Sequence, residues 1–197
     1  MFIAILLIIA AYLLGSISTA IIACRLLGAT DPRTVGSRNP GATNVLRAGG
    51  RRAAGITFFG DVLKGLVPVL VARGLGLDAS VVGAVAMAAF CGHVFPVYYG
   101  FEGGKGVATG LGALCGVHAL VGISAFATWL LVAGTTRLSS LASLATCLMA
   151  PVYMLMMTGS AWLTWVTVIM AAIIIMRHRS NISQLLEGSE EKIGSSG

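Results

Sequence analysis

Between Lys105 and Arg137, and again between Arg137 and Arg177, the chain carries no Asp, Glu, Lys or Arg. The stretch Phe2–Cys24 is equally free of charge. Runs of this kind constrain the fold more than any motif does. About 20 apolar residues in a helix cross the roughly 30 Å hydrocarbon core of a bilayer. The composition agrees: 57% of residues are hydrophobic and 10% charged, against roughly 25% charged in a soluble domain. In lipid each backbone N–H and C=O must find a partner inside its own segment, so such runs become helices. The expected fold is an all-α integral membrane protein, a single transmembrane domain over 1–183 followed by a polar tail over 184–197.

The apolar runs give the spans. Phe2–Cys24 is the first, too long and without the basic start of a cleaved leader. Ala53–Ala72 is the second and Ala79–Tyr98 the third. Leu138–Met157 holds Pro151 as an expected kink. Ala161–Met176 closes the set before Arg177-His178-Arg179. The run Val107–Ala133 suits one tilted helix or two. Gly110, Gly112, Gly116 and His118 favour a short helix that breaks and a second that returns. The tail Gln184–Gly197 is expected to fray, and its closing GSSG to be a cloning remnant.

Charge asymmetry chooses between the two counts. With seven helices, one side collects Arg25, Arg33, Arg38, Arg47, Arg51, Arg52, Lys105, Arg137, Arg177, Arg179 and Lys192. The other side keeps Arg73, and Lys64 lies within a span, so the split is eleven against one. With six helices it falls to seven against five. The positive-inside rule therefore favours about seven transmembrane helices, N-terminus outside and C-terminus cytoplasmic. Short or broken helices and polar loops would face the cytoplasm. The net charge of +6 then reflects membrane orientation rather than nucleic-acid binding.

Against this background Gly36–Gly50, GSRNPGATNVLRAGG, stands out as a long polar loop. Its glycines permit tight turns and close backbone approach. Ala42–Ala48 can begin a helix whose free N–H groups face the loop. With Ser37, Asn39, Thr43, Asn44 and Arg47 they make a candidate phosphate nest. The bland reading is an ordinary solvated loop.

Two further polar clusters share that side. Gly103-Gly104-Lys105-Gly106 opens a helix and brings N–H groups and an ammonium to one place, without the spacing of a P-loop. Arg177, His178, Arg179 and Asn181 close the last span, with positions 178 and 181 on one helical face. Arg177 and Arg179 serve equally well as headgroup anchors. Asp61 and Lys64 stand at i, i+3 inside a span and are expected to pair, since a lone charge there costs about 2.5–3.5 kcal/mol. A structural ion pair and a substrate contact are both open for them. His93 is read as a packing or supporting residue. Cys24, Cys91, Cys115 and Cys147 lie in apolar stretches without CxxC, as free buried thiols. No metal site and no cofactor is expected.

Two glycine-rich anion sites on one face suggest two phosphorylated substrates. The ordered segments GSRNPGATNVLR, GDVLKGLVPV and GHVFPVYYGFEGGKGVATG, with the closing RHRSNI, resemble the bacterial acyl-phosphate:glycerol-3-phosphate acyltransferases, the PlsY family. The resemblance spans nearly the whole chain. It implies seven spanning helices in the bacterial inner membrane with the site on the cytoplasmic face. It implies transfer of an acyl group from acyl phosphate to the 1-hydroxyl of glycerol 3-phosphate, giving lysophosphatidic acid and phosphate, without acyl-CoA or acyl carrier protein. By motif position Ser37, Arg47 and Lys105 would hold phosphate, with Asn39, Thr43 and Asn44 lining the site. The Gly103 and Gly104 amides would take the acyl phosphate head, and His178 and Asn181 would place glycerol 3-phosphate. Arg38, Pro40 and Glu102 depart from the usual pattern, and Glu102 replaces a frequent Lys.

The residues also limit the mechanism. Acyl-CoA-dependent enzymes of this pathway use an H-x-x-x-x-D pair. Here His93 is followed at that spacing by Tyr98, His118 by Ile123 and His178 by Ser183. No Gly-x-Ser-x-Gly elbow exists either. An acyl phosphate has a good leaving group, and a phosphate monoester has a second pKa near ~6. Substrate-assisted catalysis is therefore expected, with His178 as the alternative base. An organic-phosphate carrier and a lipid-binding structural module are the competing classes. Polar residues confined to one face argue against the carrier.

Overall fold

A computed structural model of the chain describes residues 1–194. Apart from Gly194, the closing GSSG lies outside the described residues. Among the described residues nine α-helices follow in order: α1 (Phe2–Gly15), α2 (Thr19–Leu26), α3 (Ala42–Gly74), α4 (Ala79–Val94), α5 (Val107–Val117), α6 (Ala119–Thr136), α7 (Ser139–Thr158), α8 (Ala161–Arg177) and α9 (Arg179–Leu186), with a short 3₁₀ turn at Val97–Tyr99. All the regular structure among the described residues is helical.

Among the described residues four stretches are long and apolar enough to cross a bilayer, namely α3, α4 with its 3₁₀ turn, α6 and α7. Two bent pairs, α1–α2 at 43° and α8–α9 at 62°, bring the number to six. The apolar α5 is shorter, 11 residues, or about 16 Å at 1.5 Å per residue. The break expected near Gly116 falls at His118, whose extended backbone ends α5 and starts α6. The first span is not continuous, whereas Ala53–Ala72 lies unbroken within α3. Phe2–Cys24 bends at Ser16–Ser18, and the second helix begins at Ala42 rather than Ala53, kinked at Gly50 (φ 76°, ψ −177°). That backbone angle suits glycine and few other residues.

The bend between α1 and α2 frees backbone groups, and specific partners take them. Lys64 Nζ donates to the Ile17 carbonyl at 2.8 Å. Ser16 Oγ donates to the Tyr12 carbonyl and accepts from Val97 N–H. Ser18 caps α2 by accepting from Ile21 N–H. This is how a broken helix is tolerated at membrane depth.

Glycine also sets how closely the helices pack. A Cβ on Gly65 would meet the Thr109 backbone, and one on Gly112 would meet the Val62 backbone. Gly15 and Gly92 stand in the same relation across α1 and α4. Lipid tails give helices no hydrophobic reason to associate, so close van der Waals contact between small residues must hold them. The outer faces carry exposed Ile5, Phe59, Leu63, Leu131, Leu148, Trp165 and Ile169, a surface matched to lipid. The loop before α3, the turns before α5 and α7, and the end of α8 all gather at one end of the bundle around one cavity.

Candidate active site

The Gly36–Gly50 loop is built around one side chain. Asn44 is 1% exposed. Its Oδ1 accepts from Ser37 N–H at 3.1 Å, and its Nδ2 donates to the Pro32 and Val35 carbonyls at 2.7 and 3.2 Å. Asn44 lines the cavity, yet its amide is committed to the loop. Its contribution is to hold Ser37 in place. Gly36 and Arg38, on either side of Ser37, both adopt left-handed backbone (φ 56° and 55°).

That loop meets the other two clusters at a cavity of about 170 Å³. Ser37, Asn39, Thr43 and Arg47 line it from the loop and the first turns of α3. Lys105 enters from the turn before α5, and His178 and Asn181 from the α8–α9 bend. Three segments far apart in sequence thus meet at one cavity. The Lys105 ammonium donates to Asn181 Oδ1. Burial holds Lys105 below the ordinary lysine pKa of 10.5, the Glu190 carboxylate opposing and Arg177 and Arg47 adding to the effect. His178 is 3% exposed and follows the last residue of the α8 span. Its Nδ1 lies 2.8 Å from the Ile174 carbonyl. A carbonyl only accepts, so Nδ1 carries the proton and Nε2 is the ring's acceptor. Burial, with Lys105 nearby, pushes the His178 pKa down to about 4.

Gly103 and Gly104 lie off this cavity. Gly104 N–H donates to the His93 carbonyl at 3.1 Å, and the Gly103 carbonyl accepts from Arg177 at 2.7 Å. Their lack of side chains is first a packing requirement. A Cβ on Gly103 would strike the His93 carbonyl and one on Gly104 the His93 ring. Gly103 borders a wider, open basin that shares Ser37, Asn39 and Lys105 with the cavity and adds Arg33, Arg38, Arg177 and Arg179. Glu102 sits among these cations and lowers the local positive charge.

Asp61 and Lys64 pair at 2.9 Å, 2% and 5% exposed. Thr19 Oγ1 donates to Asp61 at 2.6 Å, and His93 Nδ1 lies 3.5 Å from the same carboxylate. Asp61 and His93 reach the cavity wall, whereas Lys64 turns to the α1–α2 bend. One network therefore ties the broken first helix to the floor of the site.

Sequence reasoning missed several lining residues. Ser139, Ser140 and Ser143 open α7 along the cavity, with Trp129 of α6 beside them. Ser143 accepts from Trp129 Nε1 and donates to the Ser139 carbonyl. Positions 139 and 143 share a helical face, which was a readable signal. From this edge an apolar crevice runs on between α5, α7 and α8, past Leu111, Leu114, Cys147, Ala150, Met170 and Ile174. Among the described residues, no group of three or more His, Cys, Asp or Glu side chains is placed to hold a metal ion.

These features define a helical integral membrane protein with a polar cavity at one end, lined by Arg47 and Lys105 and also by Asp61 and Glu190, and an apolar crevice beside it that shares Val107, Leu111 and Ser143. Comparison with known proteins narrows the class. The family model for glycerol-3-phosphate acyltransferase matches residues 5–188. The glycerol-3-phosphate acyltransferase of Thioalkalivibrio sulfidiphilus is 58% identical over 98% of this chain and 96% of its own length. That of Halorhodospira halophila is 52% identical over 98% of both. The crystal structure of PlsY, an integral membrane glycerol 3-phosphate acyltransferase, in its glycerol 3-phosphate form superposes with a TM-score of 0.92 at 40% identity, covering 98% of this chain and 96% of that one. Its lysophosphatidic acid form gives 0.89 at 39% identity with the same coverage. The chain belongs to the glycerol-3-phosphate acyltransferase family.

Proposed function

We propose that the chain moves an acyl group from acyl phosphate to the 1-hydroxyl of glycerol 3-phosphate, forming lysophosphatidic acid and inorganic phosphate. The observation that carries this reading is the meeting of Ser37, Arg47, Lys105, His178 and Asn181 on one cavity, with an apolar crevice against its Val107, Leu111 and Ser143 wall. A doubly charged small substrate suits the first, and an acyl chain suits the second. The glycerol-3-phosphate acyltransferases it resembles and the two ligand forms of PlsY point the same way.

In this reading Ser37, Arg47 and Lys105 hold phosphate, and Asn39 and Thr43 line it. His178 and Asn181 place the glycerol 3-phosphate. The Gly103 side of the basin, with Arg177, receives the head of the acyl phosphate. The 1-hydroxyl oxygen attacks the acyl carbon, the ester C–O bond forms, and the bond from the acyl carbon to the phosphate oxygen breaks. The hydroxyl proton passes to the phosphate of glycerol 3-phosphate. The protein supplies proximity and positive charge rather than a nucleophile. His178, neutral above about pH 4, positions a hydroxyl through Nε2 rather than acting as the base.

The same reading counts α1–α2, α3, α4, α5, α6, α7 and α8 as seven passes. It sets the cavity on the cytoplasmic face of a bacterial inner membrane, the face that collects Arg and Lys. No cofactor, acyl-CoA or acyl carrier protein takes part. The test is purified protein given labelled glycerol 3-phosphate with either acyl phosphate or acyl-CoA. Lysophosphatidic acid from acyl phosphate alone supports the reading. Lysophosphatidic acid from acyl-CoA, or vesicle uptake of glycerol 3-phosphate without acylation, refutes it.

A further inference from the structure

Residues beyond α9 fold back over the cavity instead of fraying. Ser189 N–H donates to the Gln184 carbonyl at 2.8 Å, which turns the chain away from α9. At the far end Ile193 N–H donates to the Arg137 carbonyl at 2.7 Å, and Arg137 Nη2 donates to the Ile193 carbonyl at 3.1 Å. The strap between these anchors carries two adjacent carboxylates, Glu190 and Glu191. Both are placed on residues that the proposed function gives to substrate, Arg47 to phosphate and Asn181 to glycerol 3-phosphate. Asn181 Nδ2 donates to both Glu190 carboxylate oxygens at 2.9 Å. Arg47 Nη1 pairs with Glu191 Oε2 at 3.0 Å, and Arg47 Nη2 donates to the Glu191 carbonyl at 3.2 Å. Glu190 also lines the cavity.

We propose that Glu190 and Glu191 form an internal anionic occupant of the phosphate site, a strap that an incoming phosphate must displace before it can bind. The inference rests on the assignment of Arg47 to phosphate and of Asn181 to glycerol 3-phosphate. A carboxylate and a phosphate oxygen ask for the same donors, so the two compete for them. The contact is built to be displaceable. Glu191 is 67% exposed in its side chain, and an exposed ion pair is weak. A phosphate brings more charge and more acceptor oxygens to the same donors. The anchors at Gln184 and Arg137 lie outside the cavity, so the strap stays tethered when its acidic centre is pushed aside. The family match ends at residue 188, just before this strap begins.

Binding of inorganic phosphate, followed by calorimetry on the full chain in detergent, tests the strap without any acyl transfer. The E190Q/E191Q variant is expected to bind phosphate roughly three- to tenfold tighter than the unaltered chain. I193P removes the N–H that anchors the strap and is expected to tighten binding in the same direction, keeping the test open if the double variant fails to fold. E187Q removes a nearby carboxylate that bonds Ser183 instead and is expected to change binding less than either. Equal or weaker phosphate binding by E190Q/E191Q and I193P overturns the strap while leaving the phosphate site standing. So does an E187Q effect as large as theirs, which would mean a general charge effect. Absence of phosphate binding in all of these proteins overturns both the strap and the site.

Discussion

Lys105 and Asn181, 76 residues apart, share a hydrogen bond from ammonium to carboxamide oxygen. It joins the turn before α5 to the first turn of α9, and it fixes which way the Asn181 amide faces. Removing Lys105 should therefore cost both a charge and an orientation. K105A is expected to lower kcat/KM for glycerol 3-phosphate roughly ten- to hundredfold, the range of a charge-assisted bond of about 1.5–3 kcal/mol. The buried Lys105 titrates below the ordinary lysine value. Its charge is present below that pKa and lost as pH rises through it, so activity should fall on the alkaline side earlier than a free lysine would predict. K105R, which stays charged, should abolish that limb even where its rate is low. Rate measurements from pH 7 to 11 check this.

The acid side of the pH profile separates the two candidate bases. His178 is held near pKa 4 by burial, whereas the phosphate of glycerol 3-phosphate titrates near ~6. The account predicts an acid limb in kcat/KM near ~6 that H178Q leaves in place. A phosphonate analogue with a higher second pKa should carry the limb upward with it. A limb near 4 that disappears in H178Q would make the histidine the base.

Asp61 and Lys64 should behave as a unit. Leaving either one buried alone removes the partner of a charge in a low-dielectric setting, at about 3–5 kcal/mol. D61N and K64M are each expected to lower thermal stability in detergent sharply, and the double variant to recover part of the loss. Additive losses in the double variant would show that the two side chains do not depend on each other.

The apolar crevice should gauge chain length. Ala150 is nearly fully buried on its wall, so A150L narrows the path between α5, α7 and α8. Competition between long- and short-chain acyl phosphates should then shift toward the shorter donor, with little change for the shorter chain alone. An unchanged preference would place the chain elsewhere.

Much of this was legible in the sequence, because lipid leaves few options. Charge-free runs must be helices, and a polar loop among them needs a ligand or a partner. The break at His118 followed from glycine spacing and charge count together. What stayed hidden depends on long-range contacts. Nothing local marks Asn44 as the organiser of its loop rather than a ligand contact. The commitment of Gly104 N–H to His93 follows from packing between α4 and the next turn. Gln184–Gly194 reads as a polar tail, and only the position of Arg47, Asn181 and Arg137 gives it a place to lie.

The central claim is direct transfer between two substrates held side by side, in the cavity and the basin beside it, without an acylated protein. Intact-mass spectrometry of the protein stopped during turnover tests it most directly. With acyl phosphate alone the mass should stay unchanged, and lysophosphatidic acid should appear only when glycerol 3-phosphate is added. An acyl adduct that forms with acyl phosphate alone and disappears on adding glycerol 3-phosphate would contradict the account.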